Sequence, residues 1–191
     1  MKKILALVLA FVMVFALAAC GDSKAPAEQE KEEIIIENPE SILNSVWEAF
    51  GEDMQFPAMG GDMDHMADNA AAEFSLADSE LVLSFLHISE ETASMSDKAA
   101  SLMHAMNANT FTSAAFHLAE GADAANFAEA LKNDILSTQW MCGFPETLVV
   151  YTLGEYVVYA LGNGEIIDCF KTSMSSVYGE NAVLSFEEAI G

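Results

Sequence analysis

The sequence has no arginine and little positive charge of any kind. It carries 30 Asp and Glu against 7 Lys and Arg, all of them lysine, for a formal net charge of −23. Proteins bind nucleic acids mainly by neutralising phosphates with Lys and Arg, and bidentate arginine clamps hold phosphate-rich ligands. The composition therefore excludes nucleic acid as a partner and argues against phosphate-rich ligands. We attribute the acidity to solubility in an exposed environment.

Catalytic and metal-binding signatures are missing as well. The sequence has no Gly-x-Ser-x-Gly elbow, His-Glu-x-x-His motif, phosphate loop, Cys-x-x-Cys pair or calcium loop. His87, His104 and His117 stand alone within apolar or helical stretches, so we interpret them as packed or half-exposed residues. The sequence therefore predicts no enzyme and no cofactor. The alternative is an unrecognised envelope hydrolase that uses Cys142 or a histidine.

The first twenty residues have the pattern of an export signal. Two lysines precede an apolar run that extends to Ala16, and the string Leu-Ala-Ala-Cys at 17–20 is similar to the lipobox of bacterial lipoproteins. In that motif the cysteine thiol accepts a diacylglycerol group, and small residues fit the protease subsites before the cut. A membrane-spanning helix needs about 20 apolar residues, more than this run has. We expect the signal peptide 1–19 to be removed and lipid on Cys20 to anchor the protein to the outer side of the cell membrane.

The scarcity of cysteine bears on the rest of the chain. Three cysteines are present, and lipidation of Cys20 leaves Cys142 and Cys169 as an even pair in an oxidising compartment. A disulfide between them would stabilise the fold by about 3 kcal/mol if its geometry is relaxed. The alternative is two buried free thiols that pack as small hydrophobic groups.

Composition divides the mature chain into two parts. Residues 20–37 are charged and mostly low in apolar side chains, which predicts a flexible acidic tether. Residues 38–191 predict a single globular domain, since about 150 residues are ample for one hydrophobic core. Asn38 and Pro39 have the pattern of an N-cap and a first helical residue, which predicts a helix over 39–51.

The next part of the domain is harder to assign. Pro57 and two glycines interrupt any periodicity, which predicts an irregular, methionine-rich loop over 51–69. The run 81–88 fits either a helix capped by Asp78 or a buried strand. A short helix is predicted to begin at Ser96 or Asp97. The apolar residues expected to face inward from these two helices are Leu81, Val82, Phe85, Leu86, Leu102, Met103 and Met106.

The C-terminal half has clearer periodicity. The predicted elements are a strand over 112–118, a helix over 123–137, strands over 147–153 and 156–161 around Gly154-Glu155, and a helix that begins after Asn163. This order predicts an α+β fold, a small antiparallel sheet (strand-helix-strand-strand-helix) packed against helices with an additional N-terminal helical segment.

Several of these strings resemble the domain-of-unknown-function 4358 family of bacterial lipoproteins. The turn Met-Asn-Ala-Asn-Thr-Phe at 106–111 leads into a strand and then Glu120-Gly121, and the hairpin over 149–158 follows the helix over 123–137. The resemblance covers most of 39–162. It implies an exported lipoprotein with no established activity, and it assigns no functional residue.

One group of side chains supports a sharper hypothesis. Met59, Met63, His65 and Met66 lie in the loop, and further thioethers and imidazoles are Met54, Met103, His104 and Met106. These soft ligands suit Cu(I) or Ag(I) and not Ca²⁺ or Mg²⁺. Alternatively, the methionines fill irregular packing under the loop.

Our leading interpretation is a non-enzymatic, lipid-anchored module that binds another cell-envelope protein or a small ligand. The hairpin tyrosines Tyr151, Tyr156 and Tyr159 are a candidate contact surface, although they would also suit packing against helices. Soft-metal binding at 54–66 is the first alternative to this interpretation, and the envelope hydrolase is the second.

Overall fold

The structure is a computed structural model that describes residues 35–106, 110–141 and 143–190. It confirms the α+β class. The helices are α1 (Pro39–Glu48), α2 (Ser79–Leu81), α3 (Glu90–Ala93), α4 (Ala124–Ser137) and α5 (Gly164–Tyr178), with a π-helical turn over Val82–Leu86 and a 3₁₀ turn over Gly179–Asn181. The strands are β1 (Ala58–Gly60), β2 (Ala67–Asp68), β3 (Ala72–Glu73), β4 (Ser96–His104), β5 (Phe111–Leu118), β6 (Thr147–Leu153), β7 (Tyr156–Gly162) and β8 (Val183–Ala189).

All eight strands belong to one antiparallel sheet in the order β2-β1-β4-β5-β7-β6-β8, with β3 also paired to β4. Strands β6 and β7 form the predicted hairpin, and Gly154 takes the expected positive φ of 62° in its turn. The sheet is larger than the sequence indicated. Strand β8 was missed because two glutamates and partial exposure along its length weaken the apolar alternation.

Helices cover both faces of the sheet. One face packs against α1 and α5, through residues such as Val46 and Phe170. The other face packs against α4 and the π-helical turn, through residues such as Phe127 and Leu86. Because successive strand residues point to opposite faces, a strand buried on both sides is a continuous apolar run. This explains why β6 and β7 were recognisable from their composition.

The helix starts follow local chemistry. The Asn38 side chain accepts a hydrogen bond from the Ser41 N–H at 2.8 Å, and Pro39 occupies the first turn as predicted. Asp123 caps α4 and Asn163 caps α5 in the same way. Each such cap contributes about 1 kcal/mol.

The helix predicted from Ser96 or Asp97 is wrong, because this segment is strand β4. It pairs with β5 on one side and with β1 and β3 on the other, which satisfies its backbone groups along most of its length. Leu102 is buried as expected, but Met106 lies beyond the strand and is 56 % exposed. Long-range pairing therefore overrode a weak local pattern.

The run 81–88 is neither a regular helix nor a strand. Asp78 caps it as predicted, accepting hydrogen bonds from the N–H groups of Glu80 and Leu81. The short α2 then widens into a π-helical turn, which rotates the later side chains. Phe85 consequently lies exposed, against the prediction that it faces inward.

The predicted tyrosine contact surface is also wrong. Tyr159 is fully buried, and its hydroxyl donates a hydrogen bond to the Leu86 carbonyl at 2.8 Å. Tyr151 is buried on the opposite face, with its ring centroid 6.4 Å from that of Phe170. Tyr156 is half-buried and packs against the core cluster that contains Tyr151. These residues stabilise the fold and leave little surface for a partner.

The signal peptide, Cys20 and most of the tether lie outside the described residues. Ile35 to Asn38 have no regular secondary structure and lead directly into α1. Within the described ranges, no helix is long and apolar enough to cross a membrane.

Candidate functional site

The methionine-rich segment 51–69, predicted as an irregular loop, contains two short strands, β1 and β2, at the edge of the sheet. Strand β1 pairs with 102–104 of β4, and β3 pairs with 100–101 of the same strand. Residues 61–71 connect β1 to β3. Within this connection, β2 folds back and pairs with β1. We call residues 61–71 the edge loop. Strand pairing fixes the backbone at both ends of the edge loop, and this limits where its side chains can project.

Two glycines make the close turns of the edge loop possible. A Cβ atom on Gly60 would lie 2.2 Å from the Ala70 carbonyl oxygen, which no side chain tolerates. Gly61 has a φ of +80°, and a Cβ there would lie 2.4 Å from the His65 carbonyl oxygen. The loop therefore requires glycine at both positions, for space and, at Gly61, for conformation.

The Asp62 side chain stabilises the edge loop through hydrogen bonds to backbone N–H groups. Its Oδ1 accepts hydrogen bonds from the N–H groups of Asp64 at 2.9 Å and His65 at 3.0 Å, and its Oδ2 accepts one from Ser75 at 2.7 Å. Only 7 % of the Asp62 side chain is exposed. Burial by itself raises the pKa of this carboxyl, but the hydrogen bonds together outweigh burial and hold the pKa below its usual value.

His65 is engaged with Asp62. Its Nδ1 lies 2.9 Å from Asp62 Oδ1, and its side chain is 44 % exposed. The hydrogen bond to Asp62 is the main cause that raises the pKa of His65 above 6.5. Because this pKa is raised by folding, the stabilisation is complete below pH 6.5 and is lost as the pH rises through the folded value.

We therefore expect NMR titration of the His65 ring to give a pKa above 6.5. Replacing Asp62 with Asn should lower that pKa, because the charged acceptor is lost. The matched control is Asp97→Asn, which removes the carboxylate 2.6 Å from His117 and should leave the His65 titration unchanged. A wild-type His65 pKa at or below 6.5 contradicts the assignment.

Four methionines converge on one cleft beside the edge loop. Met59 and Met103 are directly opposite each other in the β1–β4 pair, which places their side chains on the same face. Met63 and Met66 reach the cleft from the edge loop, and the free volume is about 50 Å³. We call this feature the methionine cleft. It brings together three of the four predicted ligands, Met59, Met63 and Met66, and adds Met103.

The lining of the methionine cleft is mainly apolar. Phe74, Leu81 and Phe85 complete its wall, and the rings of Phe74 and Phe85 lie 6.2 Å apart. Phe85 reaches it because of the π-helical turn described above. Met63 is 73 % exposed and Met66 is 54 % exposed. Large apolar side chains left open to solvent around a concave surface are typical of binding sites.

The other predicted soft ligands lie elsewhere. His65 is not among the residues lining the cleft, since its ring is turned to Asp62. His104 stacks on Phe56 at 4.5 Å, and its Nδ1 accepts a hydrogen bond from the Met106 N–H. Burial lowers the pKa of His104. Met54 packs against the core cluster of α1 and α5. Closeness in the sequence therefore suggested more soft metal ligands than the methionine cleft contains.

Cys169 lies half-buried on α5 and forms no disulfide with any residue that the structure describes. Burial is the main cause that raises its pKa, which keeps the thiol protonated. Cys142 lies outside the described residues, so the pairing of Cys142 with Cys169 and the use of Cys142 as a nucleophile both stay predictions.

The remaining histidines do not form a catalytic pair. The ring of His87 lies edge-on to Trp140 with centroids 4.6 Å apart, and burial lowers the pKa of His87. His117 Nδ1 lies 2.6 Å from Asp97 Oδ1. Within the described parts of the chain, no histidine ring is hydrogen-bonded to a Ser, Thr or Cys side chain. The same parts contain no group of three or more His, Cys, Asp or Glu placed to hold a metal ion.

Comparison of the chain with models of protein families, with curated proteins and with solved structures gave no match. The resemblance to the domain-of-unknown-function 4358 family therefore stays a prediction.

Proposed function

We propose that the protein is a lipid-anchored extracytoplasmic lipoprotein whose folded domain is a non-enzymatic binding module. The ligand site in this proposal is the methionine cleft, and the ligand is a small molecule or side chain with an apolar surface. The anchor is supported by the lipobox-like string ending at Cys20. The binding role is supported by one observation, the concentration of exposed methionine and phenylalanine side chains around a concave surface.

The exposure of these methionines favours a binding role over core packing. Met174 is fully buried on α5 and Met54 is partly buried, as expected of methionines that fill a core. Met63 and Met66 are instead held open to solvent by a loop that needs two glycines and a buried carboxylate. Unbranched methionine side chains adapt their shape to an apolar ligand, which suits them to such a surface.

A neutral apolar dye tests the proposed site. We expect the fluorescence of Nile red to rise on binding to the full-length protein. Replacing both Met63 and Met66 with Gln should weaken this binding by about tenfold or more, because each methionine loses about 1.5 kcal/mol or more of apolar burial. Glutamine has a similar length, so the change removes apolar character with little change of shape.

The matched control is Met141→Gln. Met141 is 87 % exposed and does not line the cleft, so this change should leave dye binding within about twofold. Equal dye affinity for the wild type and the double Gln variant, or no dye binding by the wild type, would reject the methionine cleft as the ligand site.

A further inference from the structure

Four methionines from β1, β4 and the edge loop line the same cleft. Met59 lies on β1 and Met103 on β4, and their side chains are neighbours because the two residues are directly paired. Met63 and Met66 approach from the edge loop. A methionine side chain has three rotatable bonds, so four sulfurs on such a frame can close around an ion.

The chemistry of the lining selects one class of ion. Thioethers are neutral, soft ligands that favour Cu(I) and Ag(I) over hard cations such as Mg²⁺ and Ca²⁺. The wall of Phe74, Leu81 and Phe85 offers no oxygen or nitrogen ligand. Asp62 also lines the cleft, but its carboxylate oxygens already accept hydrogen bonds from the N–H groups of Asp64, His65 and Ser75. Its charge and the formal net charge of −23 give the surface a negative potential that attracts a cation.

We infer that the methionine cleft binds one Cu(I) or Ag(I) ion through the thioethers of Met59, Met63, Met66 and Met103. The inference rests on the proposed function, because it uses the same cleft, and it adds a soft metal ion to the apolar ligands proposed there. It differs from the ligand set expected from sequence, because Met103 replaces His65. No ligand has to lose a proton, so binding persists in mildly acidic solution where imidazole or thiolate ligands are protonated.

Silver(I) is the probe, because it is stable in air and shares the ligand preference of Cu(I). The full-length protein, labelled with ¹³C at the methionine methyl groups and held in detergent, is titrated with silver nitrate in chloride-free buffer. We expect the methyl resonances of Met59, Met63, Met66 and Met103 to shift together and to saturate at one equivalent. Met141 and the buried Met174 are internal controls whose resonances should stay in place.

Cysteine thiols also bind silver, so the titration is repeated with Cys142 and Cys169 both replaced by Ala. Each methionine gives its own resonance, so the wild-type titration alone still reports whether the cleft is occupied. Shifts confined to methionines outside the cleft, or an absence of shifts at the four cleft methionines, would overturn the inference.

A double variant, Met63→Leu with Met66→Leu, tests the thioethers directly. Leucine keeps the apolar surface and removes the sulfur. We expect silver affinity to fall by about tenfold or more, because two of the four thioethers are lost. Unchanged silver affinity overturns the metal site. If the wild type binds the dye but not silver, the binding module stands and only the metal assignment fails.

Discussion

Replacing Cys20 with Ser is expected to abolish lipid attachment completely. The cysteine thiol is the acceptor of the diacylglycerol group, and a serine hydroxyl does not substitute for it in the lipobox reaction. Two acyl chains on one residue hold a protein stably at a membrane, whereas a single chain binds only marginally. The variant should therefore lose the stable anchor that we propose at Cys20.

The measurement is metabolic labelling with an alkyne fatty acid, read on the purified protein, together with membrane fractionation. The wild type should incorporate the label and the Cys20→Ser variant should not. Cys142→Ser and Cys169→Ser are matched controls, since each also removes one thiol, and both should be labelled as the wild type is. Incorporation of label into Cys20→Ser, with an unchanged membrane fraction, would show that the anchor lies elsewhere.

The substitution Gly60→Ala is expected to destroy the methionine cleft. A Cβ at this position meets the Ala70 carbonyl oxygen at 2.2 Å and the Ala72 nitrogen at 2.6 Å, so backbone atoms of the edge loop must move. Overpacking of this kind costs about 1–3 kcal/mol or more, and here the strain falls on the loop that carries Met63 and Met66. We expect a lower free energy of unfolding and a loss of Nile red binding of about tenfold or more.

Chemical denaturation and the dye titration measure the two effects separately. Gly164→Ala is the matched control, because a Cβ there meets only the Glu146 carboxylate, at an ordinary 3.5 Å, in the first turn of α5. The control should keep both the stability and the dye affinity of the wild type. If Gly60→Ala also keeps the stability and the dye affinity of the wild type, the fold of the edge loop does not depend on glycine at this position.

Local sequence patterns correctly predicted structural features whose contacts are only a few residues apart in the sequence. Asn38, Asp78 and Asn163 were recognisable as helix caps, because a capping side chain bonds a backbone group only a few residues away. The turn at Gly154 was recognisable because a positive φ favours glycine in a two-residue hairpin. The helix predicted over 123–137 is α4, and its apolar stripe of Phe127, Leu131 and Ile135 is buried.

Segments whose structure depends on distant partners were assigned wrongly. Strand β4 contains small residues with no strong preference, and it is a strand because β5, β1 and β3 pair with it. The aromatic composition of the hairpin suggested a contact surface, but helices on both faces bury Tyr151 and Tyr159. No local signal marks Tyr159 as buried, because the Leu86 carbonyl that accepts its hydrogen bond lies 73 residues away in the sequence.

The candidate site shows the same division. The sequence by itself determined the acidic composition, the α+β class and the soft-ligand character of Met59, Met63 and Met66, and it contains the lipobox-like string on which the proposed anchor at Cys20 rests. Only the tertiary structure decided that Met103 joins them and that His65 is held by Asp62 instead. The physical reason is that β1 and β4 are paired across more than forty residues of chain, a long-range register that no local pattern encodes.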